Sequence, residues 1–146
     1  MRTASVALSM LLTASPLLPS GASATPKDEY GLQERCGSRA EEWFKKEYGG
    51  GIVNTKDGRA IASYRNHYNT RLNKCFVVLN YQDLPYKNKK SKPSRQIGLF
   101  DLNEKKDYGS FFKFSDSELL FECVVADKIC KSQSEWEALI APFMDD

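Results

Sequence analysis

The chain predicts an α+β fold: a meandering antiparallel β-sheet flanked by an N-terminal and a C-terminal helix, with two disulfides. Three observations predict it. Ala62–Asn69 and Lys74–Gln82 are extended, aromatic-rich arms on either side of a polar turn, the pattern of a β-hairpin. Cys36, Ala40, Trp43, Phe44 and Tyr48 recur at helical spacing before that hairpin. Trp136, Leu139, Ile140, Phe143 and Met144 do so at the other end, at i, i+3, i+4, i+7 and i+8.

From the start of the chain, Arg2 precedes an apolar run from Val6 to Leu18, and Ala22-Ser23-Ala24 follows. A positive start, a short apolar run and a small-residue site make a secretory signal peptide over residues 1–24, cleaved after Ala24 or, alternatively, at Ala22. The run is too short for a lasting membrane anchor. Periplasmic or secreted localisation follows. Residues 25–33 are polar, with Pro26 and Gly31, and are expected to be a linker; residues 34–146 form a single domain.

The first helix is expected from Glu34, with Glu41–Lys45 and Glu42–Lys46 as favourable pairs on its wet side and Gly49-Gly50-Gly51 ending it. Ile52–Val53 and Ala60–Ser63 read as short strands around the Asp57-Gly58 turn signal. In the second arm of the main hairpin Cys75, Val77, Leu79 and Tyr81 share one face while Phe76 and Val78 line the other. Apolar residues on both faces mark a central strand. Leu84–Ser94 reads as a loop, Arg95–Leu102 and Asp107–Phe114 as strands, Leu119–Ala126 as the last strand and Asp127–Cys130 as its closing turn. The final helix can be capped by Ser134 with Glu137, or by Ser132 with Glu135, and Pro142 should distort its last turn. Both helices are expected on one face of the sheet.

Charge is uninformative: the formal net charge is +2, and losing Arg2 with the leader leaves +1. The four cysteines, Cys36, Cys75, Cys123 and Cys130, all lie beyond the leader. An even count in an exported chain reads as disulfides, and four cysteines allow three pairings. The expected pairs are Cys36–Cys75, tying the opening helix to the hairpin, and Cys123–Cys130, closing a short loop. No C-x-x-C pair is present, so no metal site is expected, and no cofactor motif appears either.

His67 is the only histidine, so any histidine-based acid–base scheme must use it. No nucleophile signature accompanies it, and a strand histidine with a satisfied hydrogen bond is the simpler expectation. Ser110-Phe111-Phe112-Lys113 matches S-x-x-K, but an aromatic-rich strand sends Ser110 and Lys113 to opposite faces. Asp101-Leu102-Asn103-Glu104 begins like a calcium loop, yet Lys106 and Phe112 occupy the positions that need glycine and glutamate. The three glycines follow a helix C-terminus, where the dipole repels phosphate. No residue is assigned a catalytic role.

The loop Lys87–Arg95 carries Lys87, Lys89, Lys90, Lys92 and Arg95 with no acid between them. It is the candidate binding surface, suited to an envelope protein or another acidic surface; the competing reading is a solvated loop. Export and the lack of a binding motif argue against nucleic acid. Tyr64, Tyr68, Tyr81, Tyr86 and Tyr108 are candidate interface residues, although strand alternation does not separate them from the core.

Cys36 with Trp43-Phe44, His67-Tyr68-Asn69 before Leu72-Asn73-Lys74-Cys75-Phe76, Asp101–Glu104 before Tyr108-Gly109, Cys123 with Cys130 and the Trp136–Met144 helix together resemble small exported proteins of uncharacterised function from Gram-negative bacteria. The resemblance covers nearly all of the chain after the leader. It implies an exported, cysteine-bearing domain and transfers no site residues. The expected function is a non-catalytic exported binding or envelope-associated domain. The alternatives are a small hydrolase or transferase using His67 and a periplasmic inhibitor of a cell-wall hydrolase.

Overall fold

In the computed structural model a helix over Pro26–Tyr48 (α1) leads into seven strands: Ile52–Asn54 (β1), Gly58–Asn69 (β2), Lys74–Pro85 (β3), Ser94–Asp101 (β4), Lys106–Phe114 (β5), Leu120–Val125 (β6) and Lys128–Ile129 (β7). Gln133–Met144 (α2) follows them. The described residues are 26–117 and 120–145. The expected signal peptide, Thr25 and Leu119 lie outside them. The strands form one antiparallel sheet in sequence order, so each pairs with its chain neighbours. Such a meander needs only short turns, and Asn73, Lys105 and Ala126 take the left-handed conformation immediately before or close to the returning strand, at φ of 53°, 56° and 50°.

β3 is apolar on both faces, and that decides where the helices go. Cys75, Val77 and Leu79 face α1, and Cys36 of α1 is bonded to Cys75. Phe76 and Val78 face the other way, into a core with Ile97, Leu99, Phe111, Cys123 and Val125 that α2 closes with Trp136, Ile140 and Met144. The helices therefore cover opposite faces. This corrects the expectation that they share one, for two apolar faces of a central strand both need a cover. Both predicted disulfides, Cys36–Cys75 and Cys123–Cys130, are present.

The stretch 25–33, expected as a linker, is a second correction: α1 already begins at Pro26. Proline suits a first helical position because its missing N–H needs no partner there, and Asp28 and Glu29 complement the positive end of the helix. The early turns also dock, since Leu32 packs on the Cys36–Tyr68–Cys75 cluster. Gln33 Oε1 accepts the Tyr68 backbone N–H at 2.7 Å. At the other end Gly49 adopts φ 59° and donates to Lys45 O, a left-handed cap. Gly51 is fixed by a close approach, since a Cβ there would come within 2.6 Å of Ala62 O.

α2 uses Ser132 as its cap, the second of the two predicted frames: Ser132 Oγ accepts the Glu135 N–H at 3.1 Å. Pro142 does not end the helix, which runs on to Met144. Its last carbonyls are met from β2, where the buried Asn69 donates Nδ2–H to Pro142 O at 3.1 Å and to Phe143 O and Asp145 O at 3.4 Å.

Candidate functional site

The stretch richest in chemistry, from His67 to Phe76, is committed to architecture. Tyr68 hydroxyl donates to Asn73 Oδ1. Asn69 holds the end of α2 and accepts the Leu72 N–H. Arg71 adds a second donor to the Asp145 carbonyl, and Cys75 is in a disulfide. Lys74 Nζ reaches Asp101 Oδ2 at 2.8 Å, Glu104 Oε2 at 2.7 Å and the Tyr108 hydroxyl at 2.8 Å. Those acceptors, Asp101 first, hold the ammonium well above the usual lysine range. Asp101 is fully buried and also accepts the Asn103 N–H. The turn that begins like a calcium loop thus closes around a lysine ammonium.

His67 is half-buried in β2, stands opposite Phe76 in the β2–β3 ladder and lies on the face that α2 covers. Ser110 and Lys113 sit three residues apart in β5, Ser110 opposite Gly98 and Lys113 opposite Arg95, so they point to opposite faces. The predicted basic surface is divided. Lys89 is paired with Asp57 at 2.8 Å and Lys92 with Asp116 at 2.9 Å. Arg95 leaves the group altogether: it lies on the α2 face, donating to Asn80 and Gln133. Lys87 and Lys90 remain exposed.

Two adjoining concave surfaces lie on the opposite face. α1 lies along β2 and β3, and Trp43 reaches as far as Phe100 of β4, with ring centroids 5.7 Å apart. Beyond Phe100 no described residue covers the same face across β4, β5 and β6. Gln96, Gly98, Ser110 and Val124 form the floor of a trough of about 590 Å³ there. Small residues give it depth. The Phe100 ring lies across Gly98, where a Cβ would come within 2.6 Å of it. A second concavity of about 620 Å³ joins the first at Phe100 and runs along α1 past Trp43, Lys46 and Tyr48. Burial, then the Glu47 carboxylate and Tyr81, push the Tyr48 phenol up, so it is a neutral donor at physiological pH.

One end of the trough is aromatic. Phe112, in register between Gln96 and Glu122, stacks edge-on with Phe114 at 5.0 Å and with Phe121 at 5.5 Å. Phe121 is 76 % exposed. The rim is acidic, with Asp107, Glu122 and Asp127 against Lys106 alone, and the Lys106 ammonium sits 5.3 Å from the Tyr108 ring. Such a surface can hold an extended segment: apolar contacts on the rings, hydrogen bonds from Gln96 and Ser110, and an acidic rim for a cation.

Of these residues the sequence reading offered only Tyr81 and Tyr108, as interface candidates, and weighed Ser110 only in the S-x-x-K match. A usable signal was present in β5, where Phe111 serves the core and Phe112 and Phe114 therefore face away from it. Compared with models of protein families, with curated proteins and with solved structures, the chain matches none.

Proposed function

We propose that this chain is a non-catalytic exported binding domain that takes up a segment of a partner protein along the trough on the α1 side of its sheet. The observation that carries the reading is the Phe112–Phe114–Phe121 cluster, three mutually packed rings with Phe121 76 % exposed, set at the end of an acidic trough. The buried core does not need these rings. Aromatic side chains supply large contact area at little entropic cost, and exposed groups of them mark interaction surfaces. The Asp107, Glu122 and Asp127 rim favours a segment carrying lysine or arginine. The two disulfides fit an oxidising compartment outside the cytoplasm, and among the described residues no helix is long and apolar enough to cross a membrane.

A displayed library of random peptides selected on the folded domain tests this. Enriched sequences should combine an apolar or aromatic residue with a basic one. Their binding should fall at least tenfold on Phe121→Ser and on Glu122→Lys, two exposed positions whose replacement leaves the fold intact. Enriched peptides that bind both variants as well as the parent would refute the assignment. So would a selection that enriches acidic peptides.

A further inference from the structure

On the other face, between the start of α2 and the sheet, lies a crevice of about 340 Å³. We propose that it binds a carboxylate bearing a short apolar chain, a site separate from the α1-side trough and independent of the reading given to it.

The sheet register builds the crevice. Arg65 stands opposite Val78, and Ser63, Asn80 and Ile97 form one row across β2, β3 and β4. Trp136 of α2 closes it from above, and Arg95 reaches in from the start of β4. Arg95 is held in place by neutral groups only: Nε donates to Asn80 Oδ1 at 3.0 Å and Nη1 to Gln133 Oε1 at 3.1 Å. Its charge and Nη2 stay uncommitted, and among the described residues neither Arg65 nor Arg95 makes an ion pair. Two guanidinium groups without an ion-pair partner flank one recess whose lining holds a single carboxylate, Glu137, so its net charge favours an anion.

Trp136 supplies the second, independent observation. The residue is 1 % exposed, yet among the described residues its Nε1–H has no acceptor. Buried donors are almost always satisfied, so an unpartnered one on a residue that lines a recess points to a missing acceptor. The first turn of α2 stands close by, through Gln133 on Arg95, and adds the positive end of its dipole.

The remaining wall selects among anions. Glu137 also borders the crevice, with Oε1 held by Gln133 Nε2 at 2.7 Å, and its charge disfavours a doubly charged phosphate. A planar carboxylate matches a guanidinium fork with the indole N–H as a further donor. Val78 and Ile97 make the floor apolar, which suits a short aliphatic chain. A free fatty acid and the C-terminus of a peptide share this chemistry.

Indole ¹⁵N–¹H resonances of the full chain give a direct readout, with Trp43→Phe identifying the Trp136 signal. Butyrate, the dipeptide Ala-Val, its C-terminal amide and inorganic phosphate are titrated separately. The Trp136 signal should shift saturably with butyrate or with Ala-Val, but not with the amide. Butyrate the stronger points to a free acid, Ala-Val the stronger to a peptide terminus. Arg65→Gln, an exposed change expected to leave the melting temperature unaltered, should weaken binding at least tenfold. Arg95→Lys, which keeps the charge and removes the fork, should do the same. A Trp136 signal that ignores both carboxylates overturns the proposal. Equal shifts in the parent and Arg65→Gln, or a stronger response to phosphate, also overturn it.

Discussion

Asn69→Ala should be one of the most damaging single substitutions of a polar residue in this protein. Asn69 is fully buried and joins two parts of the chain far apart in sequence. Its Nδ2 donates to Pro142 O at 3.1 Å, while its Oδ1 accepts the Leu72 N–H at 2.9 Å. Alanine removes both bonds, each worth about 1 kcal/mol net, and strands a buried carbonyl at a cost of about 1–3 kcal/mol. The expected loss is about 2–4 kcal/mol, out of the roughly 5–15 kcal/mol that holds a typical domain folded. Arg71→Ala is the matched control. It removes longer contacts, 3.3 Å and 3.5 Å, to the same helix end from an exposed side chain, and should cost about 0.5 kcal/mol or less. Urea denaturation followed by tryptophan fluorescence measures both, and amide exchange at Phe143 and Met144 reports the helix end directly. If the two variants agree within about 0.5 kcal/mol, Asn69 does not anchor α2 and the reasoning fails.

Trp136→Ala should cost about 3–5 kcal/mol by emptying the centre of the α2-side core, whereas the exposed Glu137→Ala should cost about 0.5 kcal/mol or less; urea midpoints separate them. Replacing Cys36 and Cys75 together by alanine, which opens a loop of sequence separation 39, should cost about 4 kcal/mol, and the Cys123–Cys130 pair, at separation 7, about 2 kcal/mol. Equal losses for the two pairs would contradict the loop-entropy account. Lys74 has a folded pKa raised above the ordinary lysine value. Its contribution is therefore fully present below the unfolded pKa of about 10.4 and disappears only as pH climbs through the higher folded value. The drop in urea midpoint caused by Lys74→Met should accordingly be the same at pH 7 and pH 9, and a smaller drop at pH 9 would refute the sign.

The sheet was legible because strand alternation and turn residues are local signals. Cys75, Val77 and Leu79 alternating with Phe76 and Val78 placed β3 at the centre before any contact was known. The same two apolar faces implied a cover on each side, and the one-face expectation overlooked it. The start of α1 was missed because Gly31 and the polar residues around it outweighed Pro26, Asp28 and Glu29, and because docking through Leu32 and Gln33 is a tertiary effect. The candidate sites were harder still. A charge run such as Lys87–Lys92 is visible in sequence, but its pairing with Asp57 and Asp116 depends on the fold. Arg65, Arg95 and Trp136 meet only through strand register and helix docking. The concave trough exists because α1 stops short of β5 and β6, which no local pattern announces.

The central claim is that partner binding occurs on the α1-side trough. Chemical-shift mapping of a library-selected basic peptide on the ¹⁵N-labelled domain tests it most directly. The account predicts perturbations concentrated at Gln96, Gly98, Ser110, Phe112, Phe121 and Glu122, with Lys87–Lys92 and the region around His67 unmoved. Perturbations centred on the lysine loop or on His67, with the trough silent, would contradict it.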